Sequence, residues 1–336
     1  MYSEEDLASA VRAGVLTDGT ATAFREHVAT ISQAPAADEE RFRLVTGFND
    51  IFVVIACVLM LLSLAWIGSV TFAPWVGAAA AACAAWGLGE FFIRRRRMAL
   101  PAIVLLLAFV GGVLVAGLYS LHGLAGGPGP RIAALSFAVA AAAAWLHWWR
   151  FRVPITVAAG SAMAIGAILT LVVSAIPEAL EYKPAISCVA GAVLFALAMR
   201  WDSLDTLRRS RRSDVAFWLH LLAAPMLVYC AFSAIGVSTG GTTTVQALAV
   251  VALYVGIALV SLTIDRRALM VSSLGYVLYT FTELLKQHGM VSLSFAVTAL
   301  AIGSALLLLS AFWHPSRAAL VRRLPPGLRV YLPEIR

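Results

Sequence analysis

"IFVVIACVLMLLSLAWIGS", Ile51–Ser69, runs its whole length without a charged side chain. A helix needs about 20 apolar residues to cross a hydrocarbon core of roughly 30 Å, so this stretch reads as a membrane span. Nine similar runs follow it: Phe72–Ile93, Met98–Leu121, Ile132–Trp149, Val153–Ile176, Pro184–Trp201, Val215–Ile235, Thr244–Ile264, Ala268–Leu285 and Val291–Trp313. They are too long and too uniformly apolar for barrel strands, and a helix closes its own backbone hydrogen bonds in lipid. The predicted fold is therefore all-α: a polytopic membrane bundle of ten transmembrane helices spanning residues 48–314. Residues 1–47 are expected to form a small cytoplasmic helical hairpin and linker, and 315–336 a basic interfacial tail. Composition agrees, since 61% of the chain is apolar and 13% charged, against about 45–50% and 25% in a soluble domain.

The net charge of +7 would ordinarily raise the question of nucleic acid, but the arginines follow the membrane topology. With the N-terminus placed in the cytoplasm, 22 of the 25 basic residues fall on the inner side, leaving Arg131, Lys183 and Lys286 outside. Cytoplasmic loops of membrane proteins carry such an excess, so the pattern predicts both termini inside and no nucleic-acid partner. No apolar leader-like region precedes Ile51, and the first span is expected to insert directly. Trp145, Trp148, Trp149 and Trp201 stand where spans meet the inner surface, as interfacial aromatics do.

Cys57, Cys83, Cys188 and Cys230 each lie alone in a predicted span, and no two of the six histidines share i,i+4 spacing. Neither a metal nor another cofactor is expected from neighbouring residues, although helices could still assemble a site in the fold. No nucleotide-binding loop, no GxSxG and no HExxH occurs, so no enzymatic activity is expected.

In the opening segment, Ser3 and Asp6 suit a helix start, Leu7, Ala10 and Val11 share a face, and Gly14 is placed to end the helix. A second helix is expected from Asp18 or Thr20, with Phe24, Val28 and Ile31 on one stripe, before the polar linker Gln33–Glu40. Up to residue 49 the charge balance is −4, and from Pro315 onward it is +4. In that tail leucines alternate with arginines in a segment too short to span. Arg317, Arg322, Arg323 and Arg329 are expected to contact anionic lipid headgroups of the inner leaflet.

Both ends of the chain carry a resemblance. "DLASAVRAGVLTDGTATAFREHV" (Asp6–Val28), and at the other end "TIDRRALMVSSLGYVLYTFTELL" (Thr263–Leu285) with "RRLPPGLRVYLP" (Arg322–Pro333), are similar to bacterial membrane proteins of domain of unknown function 2157. The resemblance implies a bacterial inner-membrane location and carries no residue role.

Ionisable groups inside spans are the default functional candidates. Glu90 precedes Arg94 by four residues, the spacing of a helical ion pair at the cytoplasmic end of span two. In span nine, Ser272, Tyr276, Tyr279 and Glu283 project within about 60° of one another at 100° per residue. They form a candidate polar path, while Lys286 offers Glu283 a partner at the outer rim. Ten spans divide into five plus five, the arithmetic of an inverted repeat, and the architecture is similar to the drug and metabolite transporter group. The expected function is a small-molecule or lipid permease. The alternative is a non-enzymatic scaffold or regulatory subunit that recruits a protein partner at the cytoplasmic face through the hairpin and basic tail.

Overall fold

The computed structural model describes residues 4–24, 48–124, 129–206, 210–236 and 244–287, with 296, 300, 303–304, 307, 310–325, 327 and 332–333. The chain divides into two compact units, Met1–Arg43 and Leu44–Arg336. Every regular element among the described residues is helical.

In the first unit α1 spans Glu4–Arg12. Gly14 then turns left-handed at φ 73°, and the amides of Val15 and Leu16 return to the carbonyl of Ala10 at 3.0 and 3.3 Å. A glycine in this conformation lets the chain satisfy helix-end carbonyls. Helix α2 begins at residue 18 and is described to residue 24. Thr17 caps it: its Oγ1 accepts from the amide of Thr20 at 3.2 Å, while Thr20 Oγ1 accepts from the amide of Thr17 at 2.9 Å. This exchange has the logic of a capping box. Ser3, the expected positions Val28 and Ile31, and the linker lie outside the described residues.

The second unit contains α3 (Phe48–Thr71), α4 (Pro74–Gly89), α5 (Ala99–Leu124), α6 (Pro130–Phe151), α7 (Ile155–Ala175), α8 (Lys183–Ser203), α9 (Arg211–Ala234), α10 (Thr244–Ile264), α11 (Ala268–Gln287) and α12 (Trp313–Val321). A π-helical turn, Glu90–Arg95, continues α4, and a 3-10 turn, Pro177–Tyr182, leads into α8. Local chemistry sets the boundaries. Pro74 and Pro130 open their helices after extended Ala73 and Gly129, where a missing amide costs nothing. Helix α9 starts at Ser210, whose Oγ accepts from the amide of Arg212 at 3.3 Å. Asp205 steadies that cap by accepting from the amide and hydroxyl of Ser210 at 2.8 and 2.6 Å.

Eight helical segments are long and apolar enough to cross a membrane: Asn49–Thr71, Pro74–Arg95, Ala99–Ser120, Pro130–Phe151, Ile155–Ala175, Pro177–Ser203, Arg211–Ala234 and Val245–Ile264. They overlap the first eight predicted runs. In α11 the apolar stretch among the described residues is Ala268–Thr280, and most of the predicted tenth span, Val291–Trp313, lies outside the described residues.

From α3 to α7 each helix packs on the next, α8 packs on α9 and α10 on α11, while α9 also meets α7 and α11. One core joins Leu106 and Val110 of α5 to Ala140 and Ala144 of α6 and Ile155 of α7. A second joins Ala158 of α7 to Leu194 and Ala198 of α8 and Leu219 and Ala223 of α9. Small residues govern the spacing: a Cβ on Gly77 would overlap the carbonyl oxygen of Ala65, and one on Gly112 would stand 2.9 Å from that of Ala78. Helices in lipid gain little from apolar burial, so close approach and van der Waals contact hold them together. The outward face of α3 is correspondingly apolar, with Phe52, Leu59, Trp66 and Val70 exposed.

Candidate functional site

Where α8, α9 and the α10–α11 turn end together, charged side chains are buried rather than solvated. Asp202 lies in the last turn of α8 and is 1% exposed. Its Oδ1 accepts from Arg266 Nη2 at 2.6 Å and its Oδ2 from Arg266 Nε at 3.3 Å, a two-pronged match of guanidinium to carboxylate. Oδ2 also faces His220 Nε2 at 3.1 Å. Because an ionised carboxylate only accepts, Nε2 carries the proton in that bond. Arg266 Nη2 reaches further, donating to the carbonyl and hydroxyl oxygens of Ser213 at 3.1 and 3.2 Å. Phe195 closes the cluster with an edge contact to the His220 ring, centroids 5.2 Å apart.

The turn that delivers Arg266 also holds the C-terminal segment. Asp265 is left-handed at φ 57°, and the Ser261 hydroxyl donates to the carbonyl of Arg266. Asp265 Oδ1 accepts from Trp313 Nε1 at 2.8 Å and lies 3.7 Å from Arg317 Nε. Arg267 places its guanidinium 4.8 Å over the Trp313 ring, a cation–π contact. Arg317 Nη2 donates to the carbonyl of Pro333 at 2.7 Å. Three consecutive residues thus bind α8, α9 and α12. Val321 and Leu332 pack beneath them against Ala224, Ile264 and Leu269.

Within the tail, this corrects the expected role of Arg317. Arg317, assigned to lipid headgroups, is 4% exposed and occupied within the protein, while Val321 and Leu332 are buried in a protein core instead of lipid. The physical reason is that Asp265 and the Pro333 carbonyl offer fixed acceptors near one another, and a guanidinium buried there is compensated. Arg322 and Arg323 are exposed, and Arg329 lies outside the described residues.

Glu90 accepts from Arg94 Nη1 at 2.9 Å and also from Arg150 Nε and Nη2, 60 positions later in the chain, at 2.8 and 2.9 Å. Arg150 is the added partner that spacing did not indicate. On α11 the four path residues are not equivalent. Ser272 and Tyr276 are half-buried, Tyr276 stacks on Phe232 with centroids 4.6 Å apart, and Tyr279 is 49% exposed. The side chain of Glu283 lies outside the described residues. Among the described side chains of this helix, the fully buried polar ones are Ser273 and Thr280, one position round from Ser272 and Tyr279.

Two pairings had no sequence signal. Cys188 and Cys230, separate in sequence, meet thiol to thiol across α8 and α9. His147 shares a 3.2 Å hydrogen bond with the Thr156 hydroxyl among Trp86, Phe109 and Phe151. For Asp202, His220 and Arg266 the only signal was an ionisable residue within or bordering an apolar run. Among the described residues no three of His, Cys, Asp and Glu gather as a metal site. The chemistry of the buried cluster is that of a bridge between helices: Asp202 accepts from His220 and Arg266, and Ser213 enters it as an acceptor. No family model, no curated protein and no solved structure matches the chain.

Proposed function

We propose that this chain is a bacterial inner-membrane permease for a small molecule or a lipid, with both termini in the cytoplasm, and that the Asp202–His220–Arg266 cluster is its closed gate. The observation that carries this reading is Asp202 itself, a carboxylate 1% exposed that serves as shared acceptor for two other segments. Burying a carboxylate and a guanidinium costs several kcal/mol each, and apolar packing of similar volume often serves stability as well or better. Charges retained inside a span mark pathways and relays by default. A gate accounts for keeping them: the pair holds helix ends together when closed, and water solvates each partner when the ends part. The likeness of both chain ends to domain of unknown function 2157 belongs to the same proposal.

A second reading has its own observation. The close glycine contacts at Gly77 and Gly112 describe a filled interior, which favours a rigid scaffold over a moving pathway. Spin labels at exposed Leu204 and Arg323, with the protein in lipid nanodiscs, separate the two. A gate predicts two populated distances, with Asp202→Asn enriching the longer one. A single distance unchanged by Asp202→Asn rejects the gate and leaves the scaffold.

A further inference from the structure

At the end of α4 the helix widens into the π-helical turn Glu90–Arg95. Such turns frequently accompany functional sites because they re-aim side chains without breaking the helix. Beside it is a cavity of about 420 Å³, open at the surface and lined by Gly87, Glu90, Phe91, Arg94 and Arg95. Its charges are ordered. Glu90 takes Nε and Nη2 of Arg150 and Nη1 of Arg94, so one carboxylate positions two guanidiniums. The same segment continues as Arg96 and Arg97, with Arg96 5.6 Å over the Phe91 ring. Arg95 lines the cavity and has no carboxylate partner among the described residues. The wall therefore holds more positive than negative charge, while Gly87 and Phe91 supply an apolar edge.

We infer that this cavity is a binding site for a phosphate-bearing anion, recognised by Arg94, which Glu90 orients, and by Arg95. Planar guanidiniums match phosphate oxygens in pairs, and an arginine already oriented by a carboxylate loses less freedom on binding. Basic pockets at the ends of membrane helices bind anionic phospholipid headgroups, and the apolar edge at Phe91 suits the glycerol and acyl portion that follows such a headgroup. A free phosphate would use the same guanidiniums without that edge. The site is distinct from the Asp202 cluster and does not depend on the permease reading.

The test uses the full chain in a neutral detergent, titrated with dioleoyl phosphatidylglycerol, dioleoyl phosphatidylcholine or inorganic phosphate, with bound ligand counted by native mass spectrometry. The expected result is about tenfold tighter retention of phosphatidylglycerol than phosphatidylcholine, lost in Arg94→Gln/Arg95→Gln. Arg95→Gln alone leaves the Glu90 pairs intact and is expected to lose most of that preference, which guards against misfolding of the double variant. The exposed pair Arg211→Gln/Arg212→Gln is the control and should retain it. Binding of inorganic phosphate at the same arginines, without preference between the lipids, supports the site and makes a soluble phosphate its ligand. Equal retention of both lipids with no phosphate binding overturns the inference, as does an equal loss in the control pair.

Discussion

Arg266 donates to both carboxylate oxygens of Asp202, 64 positions earlier in the chain, while His220 occupies the remaining approach to Oδ2. A pair so enclosed is asymmetric in its energetics. Removing one partner leaves a buried charge, whereas removing both leaves only space to fill.

The corresponding expectation is that Asp202→Ala destabilises the fold by about 3–5 kcal/mol, while Asp202→Leu with Arg266→Met recovers most of that loss. Unfolding in mixed detergent micelles measures both. Equal losses for the single and double variants would mean that the unpaired charge is not what costs stability.

Arg317→Met removes the donor to the Pro333 carbonyl and the cation beside Asp265. A charged hydrogen bond of this kind is worth about 1.5–3 kcal/mol, so local opening of the C-terminal segment should rise about tenfold or more. Limited trypsin digestion at Arg322 and Arg323, compared between the two proteins in the same lipid, reports it. An unchanged cleavage rate would mean that the clasp does not hold the tail.

Adjacent glycines of α5 should behave oppositely. A Cβ at Gly112 would press on Ala78 O at 2.9 Å and Ala82 Cβ at 3.0 Å, whereas one at Gly111 meets nothing within 4 Å. Gly112→Ala is expected to destabilise by about 1–3 kcal/mol through overpacking. Gly111→Ala should be neutral or stabilising by up to about 1 kcal/mol, because alanine restricts the unfolded chain. Matched thermal melts of the two variants decide it.

Thr280 is wholly buried on α11, and its hydroxyl finds no hydrogen-bond partner among the described residues. Thr280→Val keeps the shape and removes the unsatisfied group, with an expected gain of about 1 kcal/mol or more. Tyr279→Phe, at a side chain 49% exposed, should change stability by less than about 0.5 kcal/mol. A loss at Thr280→Val would point to a polar partner that the valine cannot replace.

How much of the site was legible follows from the range of each interaction. Glu90 and Arg94 are four residues apart, so helical spacing sufficed to pair them, but Arg150 comes from another helix and left no local trace. On α11, periodicity grouped Ser272, Tyr276 and Tyr279 on one face. The burial of Ser273 and Thr280 beside them depends on how the helix is rotated against its neighbours. Arg317 illustrates the same limit from the other side. A basic residue in a short amphipathic tail reads as headgroup contact, and only the fold supplies Asp265 and the Pro333 carbonyl that bury it.

By itself, the sequence determined the helical, lipid-compatible character of the chain, the positions of eight long apolar helices and several of their boundaries. Those properties are local: the cost of an unpaired backbone amide in lipid, the fixed backbone angle of a proline and the reach of a capping hydroxyl all act within a few residues. Tertiary structure alone decided that Asp202, His220 and Arg266 share one buried bridge and that Asp265 clasps Trp313 at the C-terminal segment. Hydrogen bonds operate within about 3 Å, and bringing groups tens of residues apart to that distance requires the rotation and depth of every intervening helix to be set first.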